Sequence, residues 1–231
     1  LPIFQQSKHN SLSEEIQNVV KKVGGTVIKR DECLKHHDIE TFVLPPSPKS
    51  LLKMFLNLSR DQVIRGIHSA SCTEKEEIKF FLSSLESLSN EERSIVSRMP
   101  LFQLMTGDYV CAESKHAVLL NSSPTIPSDL PIPNSVVQCA TEADRRLLSM
   151  MKIELLDTAQ LALHLVDCIE TGSFKRENEK KTMIWILQHG FTLFTQNVML
   201  HNKCKALTFI ETEGECQKNK VSNVFDPSND T

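Results

Sequence analysis

Apolar residues recur at helical spacing along much of the chain, and the clearest case begins at Thr73. Thr73 and Glu76 have the spacing of a capping box, in which a hydroxyl and a carboxylate satisfy backbone N–H groups of the first helical turn. Behind them, apolar residues occupy the i, i+3, i+4 and i+7 positions of one face: Ile78, Phe81, Leu82 and Leu85. This pattern predicts an amphipathic helix that buries one face.

Capping-box spacing recurs elsewhere and predicts further helix starts. The pairs are Ser11 with Glu14, Ser89 with Glu92, Thr141 with Asp144, and Asp157 with Gln160. In the helix that follows the last pair, the predicted inward stripe is Ala162, Leu165, Val166 and Ile169. The segment Met183–Leu187 is apolar on all sides and is predicted to lie centrally, with Trp185 in the core and Gly190 as the stop of its helix.

Around two turn signals, the spacing of apolar residues changes from that of helices to that of strands. The segments 101–104 and 109–112 flank Thr106-Gly107-Asp108, which predicts a β-hairpin. The segments 206–210 and 216–221 flank Glu213-Gly214-Glu215 and predict a second one. Further strands are predicted at 26–28 and 117–120. The predicted fold class is therefore α+β, dominated by helices, with small antiparallel β-hairpins.

A proline-rich stretch marks the predicted boundary between two subdomains. Its prolines lie among serines and asparagines: Pro124, Pro127, Pro131 and Pro133. We predict a helical subdomain over 1–122 that ends in a β-hairpin, a link over 123–135, and a second helical subdomain over 136–231 that ends in a β-hairpin.

Two five-residue segments about a hundred residues apart are nearly the same. Leu1–Gln5 reads Leu-Pro-Ile-Phe-Gln, and Met99–Gln103 reads Met-Pro-Leu-Phe-Gln. The match predicts a repeated module whose first hairpin is truncated. The chain begins at Leu1 without a secretory signal pattern, and we expect it to be a piece of a longer polypeptide.

Composition excludes several classes of protein. The 231 residues carry 26 basic and 29 acidic side chains, so a strongly basic nucleic-acid binder is disfavoured. The chain contains no run of eighteen consecutive apolar residues, so a membrane-spanning helix is not predicted. With only seven glycines, glycine-rich phosphate loops are disfavoured, and neither a Walker loop nor a GxGxxG motif occurs. Seven cysteines without CxxC pairs indicate reduced thiols of the cytosol.

Two groups of residues have the types that bind zinc. They are Cys33 with His36 and His37, and His201 with Cys204. Together they could supply four ligands, but chance occurrence in a chain with seven cysteines and eight histidines is the favoured interpretation.

Candidates for catalysis have simpler structural explanations. Cys111 and His116 are a candidate nucleophile and base, but they lie on either side of a predicted strand turn. We therefore favour Cys111 as a buried thiol of a strand. We interpret His164 as a solvated surface residue and His189 as a residue at a helix C-terminus, where a cation is stabilised. Trp185 could be a recognition aromatic, but its apolar neighbours favour the core.

Charged runs are likewise explained by helix ends and solubility. Glu76-Glu77 and Glu91-Glu92 are predicted in first helical turns. Glu211, Glu213 and Glu215 border a hairpin turn, and the mixed-sign run 175–181 suits a solvated helix start better than a phosphate site. The residues therefore predict no catalytic, cofactor-binding or metal-binding site, no cofactor and no enzyme.

Several motifs, in the same order and spacing, resemble the large internal repeats of the sacsin family. They are 99–103 with 106–110, which resembles "LPLF-x-x-x-x-G-x-Y-V", 128–133, which resembles "DLPLP", and 209–214 with 224–227, which resembles "F-I-P-T-x-x-G … L-F-D-P". The chain departs from the family pattern at Glu211, where proline is usual, and at Ser228, where arginine is common.

The resemblance implies a segment of a giant cytosolic co-chaperone whose repeats begin with a GHKL-type ATPase module. The ATPase signature and the His-Pro-Asp of a DnaJ domain are missing from this sequence. The resemblance therefore implies a non-catalytic structural and protein-interaction segment, which spaces or orients ATPase modules and contacts client proteins. The alternative is part of a composite nucleotide- or metal-dependent chaperone site that neighbouring domains complete.

The resemblance also implies partners and a location. The expected partners are neighbouring domains of the same long chain and, through the full-length protein, DnaK-type chaperones and clients such as intermediate filaments. Nucleic acid is not expected as a partner. The expected location is the cytoplasm, including the mitochondrial surface.

Overall fold

The computed structural model describes residues 3–6, 11–29, 43–211 and 218–220. The fold divides into two compact units. Unit 1 takes the described residues of 1–117 and 135–155, and unit 2 those of 118–134 and 156–231. The units interleave along the chain, whereas the predicted subdomains are each continuous. The linking role of 123–135 stays a prediction.

The helices of unit 1 begin at hydroxyl side chains that accept hydrogen bonds from their first turns. They are α1 (Glu14–Lys22), α2 (Pro48–Asn57), α3 (Arg60–His68), α4 (Cys72–Ser83), α5 (Asn90–Ser97) and α6 (Glu142–Met150). The predicted capping boxes at Ser89 and Thr141 are confirmed, since each side chain accepts from the N3 backbone while the N3 carboxylate accepts from the cap.

Two predicted helix starts are wrong by two residues. The N-cap of α1 is Ser13 rather than Ser11, and α4 is capped by a box of Ser71 and Glu74 rather than Thr73 and Glu76. Both stretches offer several hydroxyls within two residues, so local chemistry alone leaves the register open. In α4 the observed register places Ile78 and Leu82 in the core, where both are fully buried, but leaves Phe80 exposed.

The N-terminal part of unit 1 forms a small parallel sheet. Strands β1 (Ile3–Gln6), β2 (Thr26–Lys29) and β3 (Val43–Leu44) are arranged in the order β2-β1-β3, with α1 crossing between β1 and β2. Such a crossover is required because parallel neighbours cannot be joined by a tight turn.

The predicted hairpin around Gly107 is confirmed. Strands β4 (Phe102–Gln103) and β5 (Tyr109–Val110) pair antiparallel, with Phe102 opposite Val110. Gly107 has φ +90°, which glycine adopts without strain. The segment Leu1–Gln5 was expected to form the same kind of hairpin as its near-copy Met99–Gln103. This prediction is wrong, because β1 pairs in parallel with both of its neighbours. The two segments are followed by different sequences, a helix in one case and a glycine turn in the other.

A third sheet has the order β7-β6-β8. Its strands are β6 (His116–Leu119), β7 (Val136–Cys139) and β8 (Leu155–Leu156). The strand predicted at 117–120 is therefore confirmed, one residue earlier.

Unit 2 consists of helices followed by one hairpin. Its elements are α7 (Thr158–Glu170), α8 (Arg176–Gln188), α9 (Gly190–Gln196), α10 (Val198–Ala206), β9 (Thr208–Glu211) and β10 (Lys218–Lys220). The capping box of Asp157 and Gln160 and the inward stripe of α7 are confirmed. Strands β9 and β10 pair antiparallel, which confirms the second hairpin, although its turn lies outside the described residues.

Helix α8 is amphipathic rather than buried on all sides. Trp185 is 4% exposed, as predicted, but Ile184 is 56% and Leu187 is 48% exposed, so the prediction for this segment is wrong in part. Gly190 is not a simple stop, because the chain passes through His189 directly into α9. A Cβ at Gly190 would lie 2.9 Å from the Phe194 ring of α9, so a larger residue there would require this ring to shift. Among the described helices, none combines the length and apolar character needed to cross a bilayer.

Candidate functional site

A group of ionisable side chains lies in unit 1 around Lys79 of α4. The Lys79 side chain is 4% exposed, and its Nζ lies 2.6 Å from Asp144 Oδ1 and 2.9 Å from Glu76 Oε2. A buried ammonium is costly unless it is paired and hydrogen-bonded. Here two carboxylates meet it, one from its own helix and one from α6.

Asp144 also caps the helix on which it lies. Its Oδ2 accepts from Thr141 N at 3.0 Å, from Thr141 Oγ1 at 2.8 Å and from Ala140 N at 3.2 Å. Its Oδ1 accepts from Lys79. One carboxylate therefore both starts α6 and fastens it to α4.

Tyr109 of the hairpin completes this group. Its hydroxyl donates to Glu76 Oε1 at 2.9 Å, and Lys75 Nζ lies 4.5 Å from the centre of its ring. Burial, followed by the bond to Glu76, raises the pKa of Tyr109, while burial lowers the pKa of Lys75. We refer to Lys75, Glu76, Lys79, Tyr109 and Asp144 as the lysine cluster.

An open groove of about 510 Å³ lies beside the lysine cluster. It is lined by Glu15, Cys72, Thr73, Glu76, Glu77, Phe80, Thr141 and Ala143. Of the cluster, Glu76 reaches this lining, and it is engaged by both Lys79 and Tyr109. The geometry is that of a network whose charges neutralise one another, rather than of an acid and a base facing a substrate.

Two further buried carboxylates join helices of unit 1. Glu74 of α4 binds Lys22 of α1, and Glu92 of α5 binds Lys49 of α2, with both Glu92 oxygens 2.9 Å from Nζ. Burial alone would raise the pKa of each carboxyl, but hydrogen bonds from the lysine and from the N-cap backbone outweigh it and lower the pKa.

A second groove of unit 1, about 550 Å³ in volume, lies between α2 and α5. Its lining residues are Phe55, Leu56, Leu58, Arg60, Asn90, Glu91, Ser94 and Ile95. Leu56 is 39% exposed there.

The zinc candidates are only partly within the described residues. Cys33, His36 and His37 lie outside them. On α10, His201 stacks on Phe194 with ring centres 4.9 Å apart, and Cys204 is 3% exposed. Burial raises the pKa of Cys204 to about 11, which disfavours the thiolate that zinc requires. Within the described ranges, no three such ligands gather in a way that could hold a metal ion.

The other sequence candidates are dispersed. Cys111 is half-buried just after β5, and His116 Nδ1 lies 3.0 Å from Glu154 Oε2. His164 is half-buried on α7, so its interpretation as a solvated residue is wrong in part. His189 follows the last turn of α8, as predicted, and meets the Trp185 ring edge-on at 6.2 Å.

Among the charged runs, Glu91 and Glu92 lie in the first turn of α5 as predicted. Glu76 and Glu77 do not, because α4 begins at Cys72. Glu211 ends β9, whereas Glu213 and Glu215 lie outside the described residues. The run 175–181 forms the start of α8 as predicted, with Lys181 3.4 Å from Glu177. The expected solvation is wrong for Glu179, which is buried.

Sequence reasoning missed the lysine cluster. Its signal lies in α4, where Lys75 and Lys79 are four residues apart and share the buried side of the helix with Ile78 and Leu82. Two lysines on the buried side of a helix require acidic partners from other elements. That requirement could have been read from the sequence, but the identity of the partners could not.

Fold and site together define a helix-dominated α+β protein in which four buried charged side chains of the described residues, Glu74, Lys79, Glu92 and Asp144, are paired within the fold. No family model matches the chain, and no solved structure matches it. The chain is similar to human sacsin, with 27% identity over 233 residues. The match covers 98% of the chain but only 5% of sacsin, so the similarity is to one segment of a much longer protein. The resemblance found in the sequence motifs is thereby confirmed along nearly the whole chain.

Proposed function

We propose that this chain is a non-catalytic structural and protein-interaction segment of a giant cytosolic co-chaperone similar to sacsin, in which it spaces or orients ATPase modules. The observation that carries the proposal is the use of buried charge. Lys79, Asp144 and Glu92 are each engaged by partners inside the fold, so they stabilise the unit rather than face a substrate.

These ion pairs join helices that are distant in sequence. Lys79–Asp144 joins α4 to α6, Lys22–Glu74 joins α1 to α4, and Lys49–Glu92 joins α2 to α5. Removing one partner of a buried pair typically costs about 3–5 kcal/mol, which applies to Lys79–Asp144. The Lys22 and Lys49 side chains are 34% and 59% exposed, so their pairs contribute less. A unit stiffened in this way suits a segment that holds neighbouring modules at a set distance.

Exposed apolar side chains support the interaction half of the proposal. Phe80 in unit 1 is 69% exposed, and in unit 2 Phe191 is 92%, Val198 67% and Met199 64% exposed. Phe191, Val198 and Met199 lie within nine residues of one another, and contiguous exposed apolar patches mark interaction sites. The partners we propose are neighbouring domains of the same long chain and, through the full-length protein, DnaK-type chaperones and client proteins such as intermediate filaments. The proposed location is the cytoplasm, including the mitochondrial surface.

Suppression of aggregation tests the proposal. The chain is added in molar excess to a heat-unfolded model enzyme, and light scattering is recorded for the chain and for the variant F80S/F191S. We expect the chain to reduce scattering at least twofold and the variant to lose most of that effect. A chain that leaves scattering unchanged would contradict the client-binding half of the proposal.

The alternative of a composite nucleotide or metal site has a separate readout. Thermal unfolding is measured with and without Mg-ATP and with and without zinc. A ligand that binds the folded state at one hundred times its Kd stabilises it by about 2.7 kcal/mol. We expect no shift in Tm, and a rise of several degrees with either ligand would favour the alternative.

A further inference from the structure

The groove of about 510 Å³ beside the lysine cluster combines an exposed aromatic ring with three carboxylates. The ring is that of Phe80 on α4, which is 69% exposed. The carboxylates are those of Glu15 on α1 and of Glu76 and Glu77 on α4, and no lysine, arginine or histidine is among the described residues that line the groove. The lining runs along α4 from Cys72 to Phe80, which is about 12 Å of helix. This length accommodates a few side chains of a partner.

Two of these carboxylates have no partner inside the fold. Glu76 is engaged by Lys79 and Tyr109. Glu15 and Glu77 are half-buried, yet no hydrogen bond or ion pair joins their carboxylates to another residue of the described ranges. A partly buried carboxylate without a cation loses solvation and receives no compensating interaction. Glu15 and Glu77 can therefore accept a cation from outside without breaking a contact of the fold.

The nearby cations do not cancel this charge. Within the lysine cluster, two ammonium groups balance two carboxylates, so the cluster as a whole is neutral. Lys22 of α1 is bound to Glu74. The two arginines of α6 are exposed and lie outside the groove lining. Glu15 and Glu77 therefore leave the groove with a net negative charge.

Helix N-termini also lie at the groove, because α1, α4 and α6 all begin there. Each helix end contributes about half a positive charge. At α4 and α6 the first N–H groups are already served by Glu74 and Asp144 of the capping boxes. Exposed carboxylates in the first turns of α1 and α6, those of Glu14 and Glu142, add further negative charge. The groove therefore stays acidic, and a cationic partner complements it.

The position of Phe80 beside Glu77 indicates which cation fits. The two residues are three apart on α4, so they are neighbours on the helix surface, with Cβ atoms about 5–6 Å apart. An arginine guanidinium is planar, so it can stack on an aromatic ring and also donate two parallel hydrogen bonds to a carboxylate. A lysine ammonium is a strongly hydrated point charge that lacks this geometry. Arginine is therefore the favoured residue at this position.

The partner also needs apolar side chains next to its arginine. Exposed ion pairs contribute little by themselves. Most of the stabilisation must come from removing apolar surface from water, and Phe80 is the large apolar side chain that the groove offers.

We propose that this groove binds a segment of a partner protein in which arginine and apolar residues alternate, with a guanidinium stacked on Phe80 and paired with Glu77, and a second basic side chain paired with Glu15. The inference rests on the proposed function and deepens it, because it assigns one surface and one ligand chemistry to the interaction.

Fluorescence anisotropy with synthetic peptides tests the inference. The probe is a fluorescein-labelled eight-residue peptide in which leucine and arginine alternate, and two control peptides carry lysine or glutamine in place of every arginine. We expect the arginine peptide to bind saturably, the lysine peptide to bind at least threefold more weakly, and the glutamine peptide not to bind. The lysine peptide has the same charge as the arginine peptide, so their comparison isolates the guanidinium.

Matched charge variants locate the binding. Glu77→Gln removes one charge at this groove, and Glu91→Gln removes one at the groove between α2 and α5. We expect Glu77→Gln to weaken binding at least fivefold and Glu91→Gln to change it less than twofold. Because the Glu77 carboxylate has no partner in the described fold, Glu77→Gln should leave the Tm nearly unchanged, which separates loss of binding from loss of structure.

A second matched pair tests the aromatic ring. Phe80→Ser removes the ring at the groove, and Phe191→Ser removes an exposed ring of unit 2. We expect Phe80→Ser to weaken binding at least fivefold and Phe191→Ser to leave it unchanged.

Four results would overturn the inference. They are an arginine peptide that does not bind, a lysine peptide that binds equally well, equal losses in Glu77→Gln and Glu91→Gln, which would show unspecific charge attraction, and self-association in sedimentation velocity that Glu77→Gln abolishes, which would assign the groove to a second copy of the chain. Suppression of aggregation by a chain that does not bind the arginine peptide would refute the groove and leave the proposed function standing.

Discussion

Lys79 and Asp144, which are 65 residues apart in the sequence, meet at 2.6 Å in the interior of unit 1. Both side chains are 4% exposed. Because Asp144 is also the N3 residue of the α6 capping box, the contact ties the start of one helix to the middle of another. This pair joins segment 135–155 to the N-terminal part of the unit.

Removing the cation of this pair should be strongly destabilising. Lys79→Met leaves Asp144 and Glu76 without their common partner, and we expect a loss of about 3 kcal/mol in the free energy of unfolding. The matched control is Lys181→Met, which breaks the exposed pair with Glu177 and should cost less than about 1 kcal/mol. Urea denaturation of both variants measures the difference, and equal losses would contradict this account of the pair.

The start of α4 can be tested by alanine substitution. Ser71 accepts from Glu74 N at 3.2 Å, and Glu74 accepts from Ser71 N at 2.6 Å. Ser71→Ala should therefore cost about 1 kcal/mol, as is typical of an N-cap. Thr73→Ala, two residues later, should cost much less, because Thr73 does not cap the helix. The reverse order of the two losses in thermal unfolding would place the cap at Thr73 after all.

Acid should destabilise the chain in part through Glu92. Its pKa is lowered in the folded state, so its contribution is fully present above its ordinary value of 4.5 and is lost as the pH falls through the folded pKa. Glu92→Gln should remove this part of the pH dependence below pH 4.5. The control Glu91→Gln changes an exposed neighbour in the same turn.

Urea denaturation at neutral pH and at several values below pH 4.5 gives the comparison. Wild type and Glu91→Gln should lose stability with the same slope, and Glu92→Gln with a shallower one. Parallel curves for all three proteins would show that the Lys49–Glu92 pair does not contribute to acid sensitivity.

Tyr109 is the single tyrosine of the chain, so its ionisation can be followed without interference from another phenol. Burial and the bond to Glu76 raise its pKa above the ordinary value of 10, because both disfavour the phenolate. Absorbance at 295 nm should show no phenolate at pH 10, while circular dichroism confirms that the chain is folded. Glu76→Gln should move the titration toward lower pH, and an unchanged midpoint in that variant would argue against the contact.

Local chemistry accounts for the features that the sequence predicted well. The boxes at Ser89 and Thr141 span three residues, and the hairpin at Gly107 depends on a single left-handed residue. Such interactions involve neighbours in the chain, so residue types at short spacing are sufficient to predict them. Where several hydroxyls compete, as near Ser71 and Thr73, the same chemistry leaves a choice of register that packing decides.

The candidate sites could be predicted from the sequence less well than these local features. The sequence shows that Lys79 lies on a buried helix face. It does not show that Asp144 is its partner. The outer face of α8 was predicted to be buried because Ile184 and Leu187 are apolar, and only the packing of unit 2 shows that both are exposed.

By itself, the sequence determined the fold class, the starts of α5, α6 and α7, both hairpins and the similarity to a sacsin segment, because these depend on residue types at short or fixed spacing. Tertiary structure alone decided the parallel pairing of β1, the Lys79–Asp144 contact and the Lys49–Glu92 pair. Each of these brings together residues from distant parts of the chain, and the free energy that selects them comes from burial and charge pairing in the folded unit.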